Sequence, residues 1–157
     1  MTDQQRRRVL FVCTHNSARS QMAEGMLRAW NGDDFEVFSA GTEVSTVRPE
    51  AIQVMDEIGI DISGHRSKSV QDYLGQQFDW VITVCDQARQ NCPVFPGVDQ
   101  TAHWSVEDPS AALGDAQQQR EAFRRVRDDL RNRIHVFALA AARPELPAPE
   151  IALGGRE

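Results

Sequence analysis

The stretch Cys13-Thr14-His15-Asn16-Ser17-Ala18-Arg19-Ser20 holds a nucleophile and a cation six positions apart. A short loop that feeds a helix N-terminus turns several backbone N–H groups inward and makes a cradle for an anion. A cysteine at one end points its sulfur at the central atom of that anion. An arginine at the other end clasps two of its oxygens. The same donors and the helix dipole favour thiolate over thiol at Cys13. Ser20 is placed to donate a hydrogen bond to the sulfur, so no histidine base is required. Thr14, His15, Asn16, Ser17, Ala18, Arg19 and Ser20 are therefore the expected oxyanion-binding residues. The competing reading of the bare Cys-x5-Arg spacing is a buried strand-end cysteine followed by an exposed helix arginine.

Two further cysteines, Cys85 and Cys92, complete the thiol inventory. An odd count in a chain of this size does not suggest a disulfide scaffold. Each is also readable as a small buried residue or an incidental loop thiol. Zinc is a poor fit: Cys-x6-Cys misses the usual ligand spacing, and His65 and His103 form no ligand motif. Asp108 precedes Pro109, which pushes its backbone out of the helical region. A carboxyl held over the anion loop is a candidate general acid, because a thiolate and a bound oxyanion beside it favour the protonated form. The bland alternative for Asp108 is a turn or N-cap aspartate. Glu107 is the weaker neighbouring candidate.

The elements around these residues alternate between strand and helix. Val9-Leu10-Phe11-Val12 is a continuous apolar run, as expected for a strand buried on both faces. Ala18 to Trp30 follows as a helix, with Met22, Ala23, Met26, Leu27 and Trp30 at helical spacing and Asn31-Gly32 as its stop. Phe35 to Ala40 is a second strand. Pro49 opens a helix that presents Ala51, Ile52, Met55 and Ile58, with Gly59 as its C-terminal signal. Ser67 or Ser69 caps a short helix holding Val70, Tyr73 and Leu74. Trp80 to Val84 and Thr101 to Trp104 read as the third and fourth strands. Ala116 to Ala142 is the last helix, with Phe123, Val126, Leu130, Ile134 and Phe137 in one stripe. This pattern predicts an α/β domain with a small parallel sheet. Ligands in such sheets bind at the carboxyl ends of strands, where Cys13 and Cys85 both fall.

The chain has 157 residues, 25% charged and 41% hydrophobic, as expected of one globular domain rather than a disordered chain. A single domain over residues 1–142 is expected, with 143–157 as a flexible tail carrying three prolines. Residues 1–8 are polar and expected to fray. The arginines at 6–8 and those from Arg120 to Arg133 read as solvated faces. A net charge of −6 argues against nucleic acid or an anionic membrane as the main partner, so any anion must be drawn in by a local pocket. No apolar run reaches the length of a membrane span, and no secretory leader is visible, so the expected location is cytoplasmic.

The segment from Cys13 through Arg19-Ser20-Gln21-Met22-Ala23-Glu24 resembles the signature of arsenate reductases built on the low-molecular-weight protein tyrosine phosphatase fold. The resemblance continues through Ser39 to Thr42, Ile58 to Ser63, Val84-Cys85 to Cys92-Pro93, and Asp108-Pro109, and reaches about Ala142. It implies a three-layer sandwich with a four-stranded parallel sheet flanked by helices. It also implies reduction of arsenate to arsenite by a relay. Cys13 attacks arsenate, Cys85 attacks Cys13 and expels arsenite, Cys92 attacks Cys85, and thioredoxin reduces the resulting disulfide.

If Asp86 to Asn91 is helical, Cys85 and Cys92 lie about 10 Å apart. A disulfide needs Cα atoms within about 7 Å, so the relay requires this segment to loop out during turnover. The resemblance implies no tightly bound cofactor, with thioredoxin as electron donor. Arsenate is the expected substrate, phosphate or sulfate would compete for its place, and a monomer is the expected state.

Where related phosphatases carry an aromatic residue after Asp-Pro, this chain has Ser110, which suits a small inorganic oxyanion. His15 stands where a glycine is common and reads as a solvated loop residue. Ala18 replaces a cysteine found in some members. Lys68, the one lysine of the chain, falls where some members help bind potassium, so its ammonium is a candidate for the cation's place near Asn16 and Glu24, and no metal is expected. The alternatives are a low-molecular-weight phosphatase acting on aryl phosphates through a Cys13 phosphoenzyme, and an oxyanion-binding or redox-sensing module without turnover.

Overall fold

The computed structural model describes residues 6–84, 98 and 100–141. Within them, strand β1 (Arg7–Cys13) leads into helix α1 (Arg19–Asn31) and strand β2 (Phe35–Gly41). Helix α2 (Pro49–Asp56) follows, then strands β3 (Trp80–Thr83) and β4 (Gln100–His103), then helix α3 (Ala116–Ala141). The four strands form one parallel sheet in the order β2-β1-β3-β4. β1 is central, and Val9 to Val12 are fully buried, as the uninterrupted apolar run requires.

Side chains alternate across a strand, and this sorts the two faces. Phe35 and Phe11 look toward the α3 side, where Phe35 meets Phe137 and Phe11 meets Trp104. α1 and α2 pack against α3. Phe38, one position out of phase with Phe35, joins Tyr73 and Phe78 on the other face. The stripe of α3 behaves as its spacing predicts: Phe123, Val126, Leu130, Ile134 and Phe137 are all buried. Three layers result, with the sheet in the middle.

Several local expectations are corrected. Arg7 and Arg8 are not frayed but belong to β1, opposite Phe35 and Glu36 of β2. Arg8 is not a simply solvated charge: its guanidinium lies 4.7 Å from the Phe38 ring centre and 4.8 Å from that of Phe78, and it donates to the Gln77 carbonyl. A planar, weakly hydrated cation covers aromatic faces that the sheet leaves open. Arg127 also leaves the solvated face. It is buried, donates to the Val54 carbonyl at 2.8 Å and pairs with Glu57 at 2.9 Å, tying α3 to α2. On α2 the buried residues are Ala51, Val54 and Met55, whereas Ile52 and Ile58 are only half-buried. Trp30, at the end of α1, is about one-third exposed and packs on the His135 ring. Ser69, not Ser67, caps the short 3-10 helix Val70–Tyr73, accepting from the Gln71 N–H.

Candidate active site

The loop from Cys13 to Arg19 crosses the carboxyl end of β1. Its carbonyls are drawn outward one by one. Cys13 O accepts from Thr42 N, Thr14 O from Glu43 N, and Ser17 O from Arg48 N, at 3.2, 2.8 and 2.9 Å. His15 O accepts from the Ser67 hydroxyl, and Asn16 O from the Gln21 side chain. A planar trans peptide sets each following N–H opposite its carbonyl. Anchoring the carbonyls on one side therefore aims the loop's N–H groups to the other. No side chain caps α1, and its first turn carries no acidic residue, so its dipole acts on whatever occupies the loop.

Asn16 holds this geometry. It is fully buried with φ of 52°, in the left-handed region that asparagine tolerates better than most residues. Its Nδ2 donates to Ser20 Oγ and Ser39 Oγ, at 2.7 and 2.9 Å. Its Oδ1 accepts from Gln21 Nε2 and from the Lys68 N–H. Gly41 lies directly beneath. A Cβ there would come within 2.8 Å of Asn16 N and Thr14 O, both backbone, so only glycine lets β2 pass under the loop.

Cys13 is buried, and its Sγ accepts from Asn16 N at 3.2 Å and lies 2.9 Å from Ser20 Oγ. Arg19 is buried at the far end of the loop, donating to the Val106 carbonyl at 3.1 Å and standing 3.7 Å from Asp108. Asp108 serves two ends at once. Its Oδ1 caps the short helix Pro109–Ala111 through Ser110 N, and its other oxygen faces Arg19. Glu107 turns away to Arg125 at 2.9 Å, which holds its carboxyl below the usual range.

These groups enclose a cavity of about 250 Å³. The loop contributes Cys13, His15, Ser17, Ala18 and Arg19 to its wall. Ser45 and Arg48 come from the β2–α2 connection, and Asp108 and Ser110 from the segment after β4. Among the described residues, no phenyl, phenol or indole side chain lines it. His15 sits at the wall, half exposed, and pairs with Glu43. Thr14 and Asn16 contribute backbone to the loop but do not line the cavity, and Ser20 stands behind the sulfur.

Below the loop lies a buried polar cluster around Glu24. Ser39 Oγ donates to Glu24 at 2.5 Å, Arg28 pairs with it, and Lys68 Nζ stands 3.7 Å away. Burial lowers the Lys68 ammonium below the ordinary lysine range despite that carboxylate. Burial likewise lowers the His65 imidazole, which shares Gln21 Oε1 at 2.9 Å. The Lys68 ammonium stands near Glu24, Ser39 Oγ and the Arg66 carbonyl, while its backbone N–H bonds Asn16 Oδ1. Among the described residues, no group of three or more acidic, histidine or cysteine side chains is placed to hold a metal ion.

Cys85, Cys92 and the segment Asp86 to Asn91 lie outside the described residues. The strand leading to Cys85 is described: Thr83 is in register with Val12, and Val84 N donates to the Val12 carbonyl at 2.9 Å. Arg48, Ser45, Ser39, Gln21 and Glu24 were not singled out as site residues from sequence. The Ser39-Ala40-Gly41 and Arg19-to-Glu24 segments mark three of them. Nothing local marks Arg48 or Ser45.

A cysteine and an arginine bracketing an anion loop, on the central strand of a four-stranded parallel sheet, define a cysteine-dependent oxyanion-handling α/β protein. The chain belongs to the low molecular weight phosphotyrosine protein phosphatase family, whose profile matches residues 8–145. An arsenate reductase of Halalkalibacterium halodurans is 44% identical over 130 residues, which is 83% of this chain and 94% of the relative. The solved structure of an arsenate reductase in the phosphate-binding state superposes with a TM-score of 0.70 at 36% identity, covering 85% of this chain and 97% of the other. A thioredoxin-dependent arsenate reductase of Corynebacterium glutamicum superposes with a TM-score of 0.60 at 29% identity, covering 86% of this chain and 65% of that one. No helix among the described residues is long and apolar enough to cross a membrane.

Proposed function

We propose that the protein reduces arsenate to arsenite, with Cys13 as nucleophile, Arg19 and the loop amides as the oxyanion clamp, and Asp108 as general acid. The observation that carries this is the cavity itself: a buried sulfur that accepts from Asn16 N and lies 2.9 Å from Ser20 Oγ, in a chamber of about 250 Å³ whose wall, among the described residues, carries no phenyl, phenol or indole ring. That chamber suits a small tetrahedral oxyanion better than an aryl ester.

The chemistry balances as follows. The Cys13 thiolate attacks arsenic, and an arsenate oxygen leaves as water after taking a proton from Asp108. The Cys85 thiolate then attacks Cys13 Sγ. The sulfur–arsenic bond breaks, and its electron pair stays on arsenic, which becomes As(III). Two thiols have become one disulfide, which supplies the two electrons. Cys92 attacks Cys85 and frees Cys13, and a dithiol donor of the thioredoxin type reduces the Cys85–Cys92 bond. The adjacency of β3 to β1 supports the second step, because it brings the chain leading to Cys85 alongside Cys13.

The test follows arsenite formation with thioredoxin, thioredoxin reductase and NADPH. Steady turnover is expected for the parent. Cys92→Ser should stall after about one equivalent. Equal turnover in the two would mean that thioredoxin resolves the Cys13 adduct or the Cys13–Cys85 disulfide directly and that the Cys92 step is not used. Turnover only after glutathione with glutaredoxin, or mycothiol, replaces thioredoxin would assign the donor to that thiol instead. Efficient hydrolysis of aryl phosphates without arsenite formation would instead establish the phosphatase reading.

A further inference from the structure

We propose that Arg48 is a second substrate-reading cation of the pocket, one that selects doubly charged over singly charged tetrahedral oxyanions. The proposal deepens the oxyanion reading of this cavity and rests on it for the charge of the substrate.

The argument begins with charge. A Cys13 thiolate brings one negative charge, and a dianionic oxyanion brings two more to the same small chamber. Against these the loop sets Arg19 and a helix end worth about half a positive charge. The chain as a whole is no help, since its net charge is −6. Asp108, the carboxyl side chain among the described wall residues, faces Arg19. Among the described residues, Arg48 is the other arginine in the wall of the cavity.

Its placement is built rather than incidental. Its own N–H holds Ser17 O at 2.9 Å, so the backbone that carries it is bonded directly to the anion loop. Its guanidinium is braced on two sides, by Glu50 at 3.2 and 3.4 Å and by the Phe123 ring with 5.8 Å to the ring centre. Burial would raise the Glu50 carboxyl, but the Arg48 hydrogen bond, a backbone hydrogen bond and the charges of Arg48 and Arg120 together outweigh it and the net shift is downward, so the brace stays charged at neutral pH. Because Arg48 is one-third exposed, Glu50 restrains its charge without cancelling it at the cavity. A fully charged arginine held at the wall is worth most to the ligand that carries the most charge.

The experiment measures binding of two probes of the same shape and different charge, sulfate and perchlorate, by calorimetry at fixed ionic strength. Arg48→Gln should weaken sulfate about tenfold, as expected for losing one charge-assisted contact, and perchlorate less than about threefold. Arg48→Lys should recover most of the sulfate affinity, and Glu50→Gln should tighten it. Equal weakening of both anions would mean that the substitution disturbs the shape of the pocket, and would overturn the proposal. So would unchanged sulfate binding in Arg48→Gln, or no sulfate binding in the parent. Absence of arsenate turnover with the sulfate pattern intact would remove the proposed reaction and leave the role of Arg48 standing.

Discussion

At the residue scale, the sulfur of Cys13 is supported by two donors of unlike origin. One is the amide of Asn16, fixed by the left-handed turn, and the other is the hydroxyl of Ser20 in the first turn of α1. Ser20 itself accepts from Asn16 Nδ2, which leaves its single proton free for the sulfur. Ser20→Ala removes that donor and one acceptor of Asn16 Nδ2, which keeps its bond to Ser39 Oγ. A hydrogen bond to a charged group contributes about 1.5–3 kcal/mol, so the variant should hold less thiolate at neutral pH, and its alkylation by iodoacetamide at pH 7 should slow about tenfold. An unchanged rate would mean that the amide and helix dipole suffice alone. The same economy of donors explains Asp108, which the sequence left between a cap and an acid. One oxygen caps Ser110 N while the other remains over Arg19, so the two descriptions are compatible.

At the element scale, the anion loop depends on partners that lie far from it in sequence. Its carbonyls are held by residues 42, 43, 48 and 67, on the connections after β2 and α2. These connections keep their place because α2 is fastened to α3. Glu57, just past the end of α2, accepts from Arg124 at 2.7 Å and from Arg127 at 2.9 Å. The Arg124 hydrogen bond, with Arg127 adding to it, lowers the Glu57 carboxyl from 4.5 to about 2. A lowered folded-state value means stability that is fully present above pH 4.5 and lost as the pH falls toward 2. Glu57→Gln should therefore lower the melting temperature at pH 7 by about 2–3 °C, a magnitude suited to half-exposed ion pairs. The gap between parent and variant should close between pH 4.5 and 2 in thermal melts followed by circular dichroism. A gap that persists at the acid end would assign the effect to packing.

Legibility in the sequence follows the same division. β1, α1 and α3 were readable because each depends on its own apolar spacing, and the alternation of strand and helix fixed the parallel sheet. The anion loop was readable because Cys13, Arg19 and Ser20 sit within one short stretch. The inward role of Asn16, the burial of Arg127 and the presence of Arg48 in the cavity wall were not. Each is settled by a contact across 23 to 73 residues, such as Asn16 with Ser39 or Arg127 with Val54, and no local pattern encodes such a pairing. The stacking of Arg8 on Phe38 and Phe78 was hidden for the same reason: a run of three arginines looks solvated until the fold supplies aromatic faces.

At the scale of the whole molecule, the described wall of the cavity comes from three separate parts of the chain: the loop after β1, the connection after β2 and the segment after β4. An anion that bridges these parts binds the folded chain and has no equivalent site in the unfolded one. It should stabilise the entire domain, not a local patch. At a hundredfold excess over its dissociation constant, such a ligand adds about 2.7 kcal/mol. For a domain of this size that corresponds to a rise in melting temperature of about 5–10 °C. Sulfate should produce this rise in a single cooperative transition, with chloride at equal ionic strength as the control for general screening of the −6 charge. Arg19→Ala should abolish most of the rise, because Arg19 joins the loop to the Val106 and Asp108 segment. A chain ending at Ala142 should show the same rise as the full chain if residues 143–157 stand outside the domain. Two separate transitions, or a sulfate effect matched by chloride, would show that the three segments do not close on a common anion.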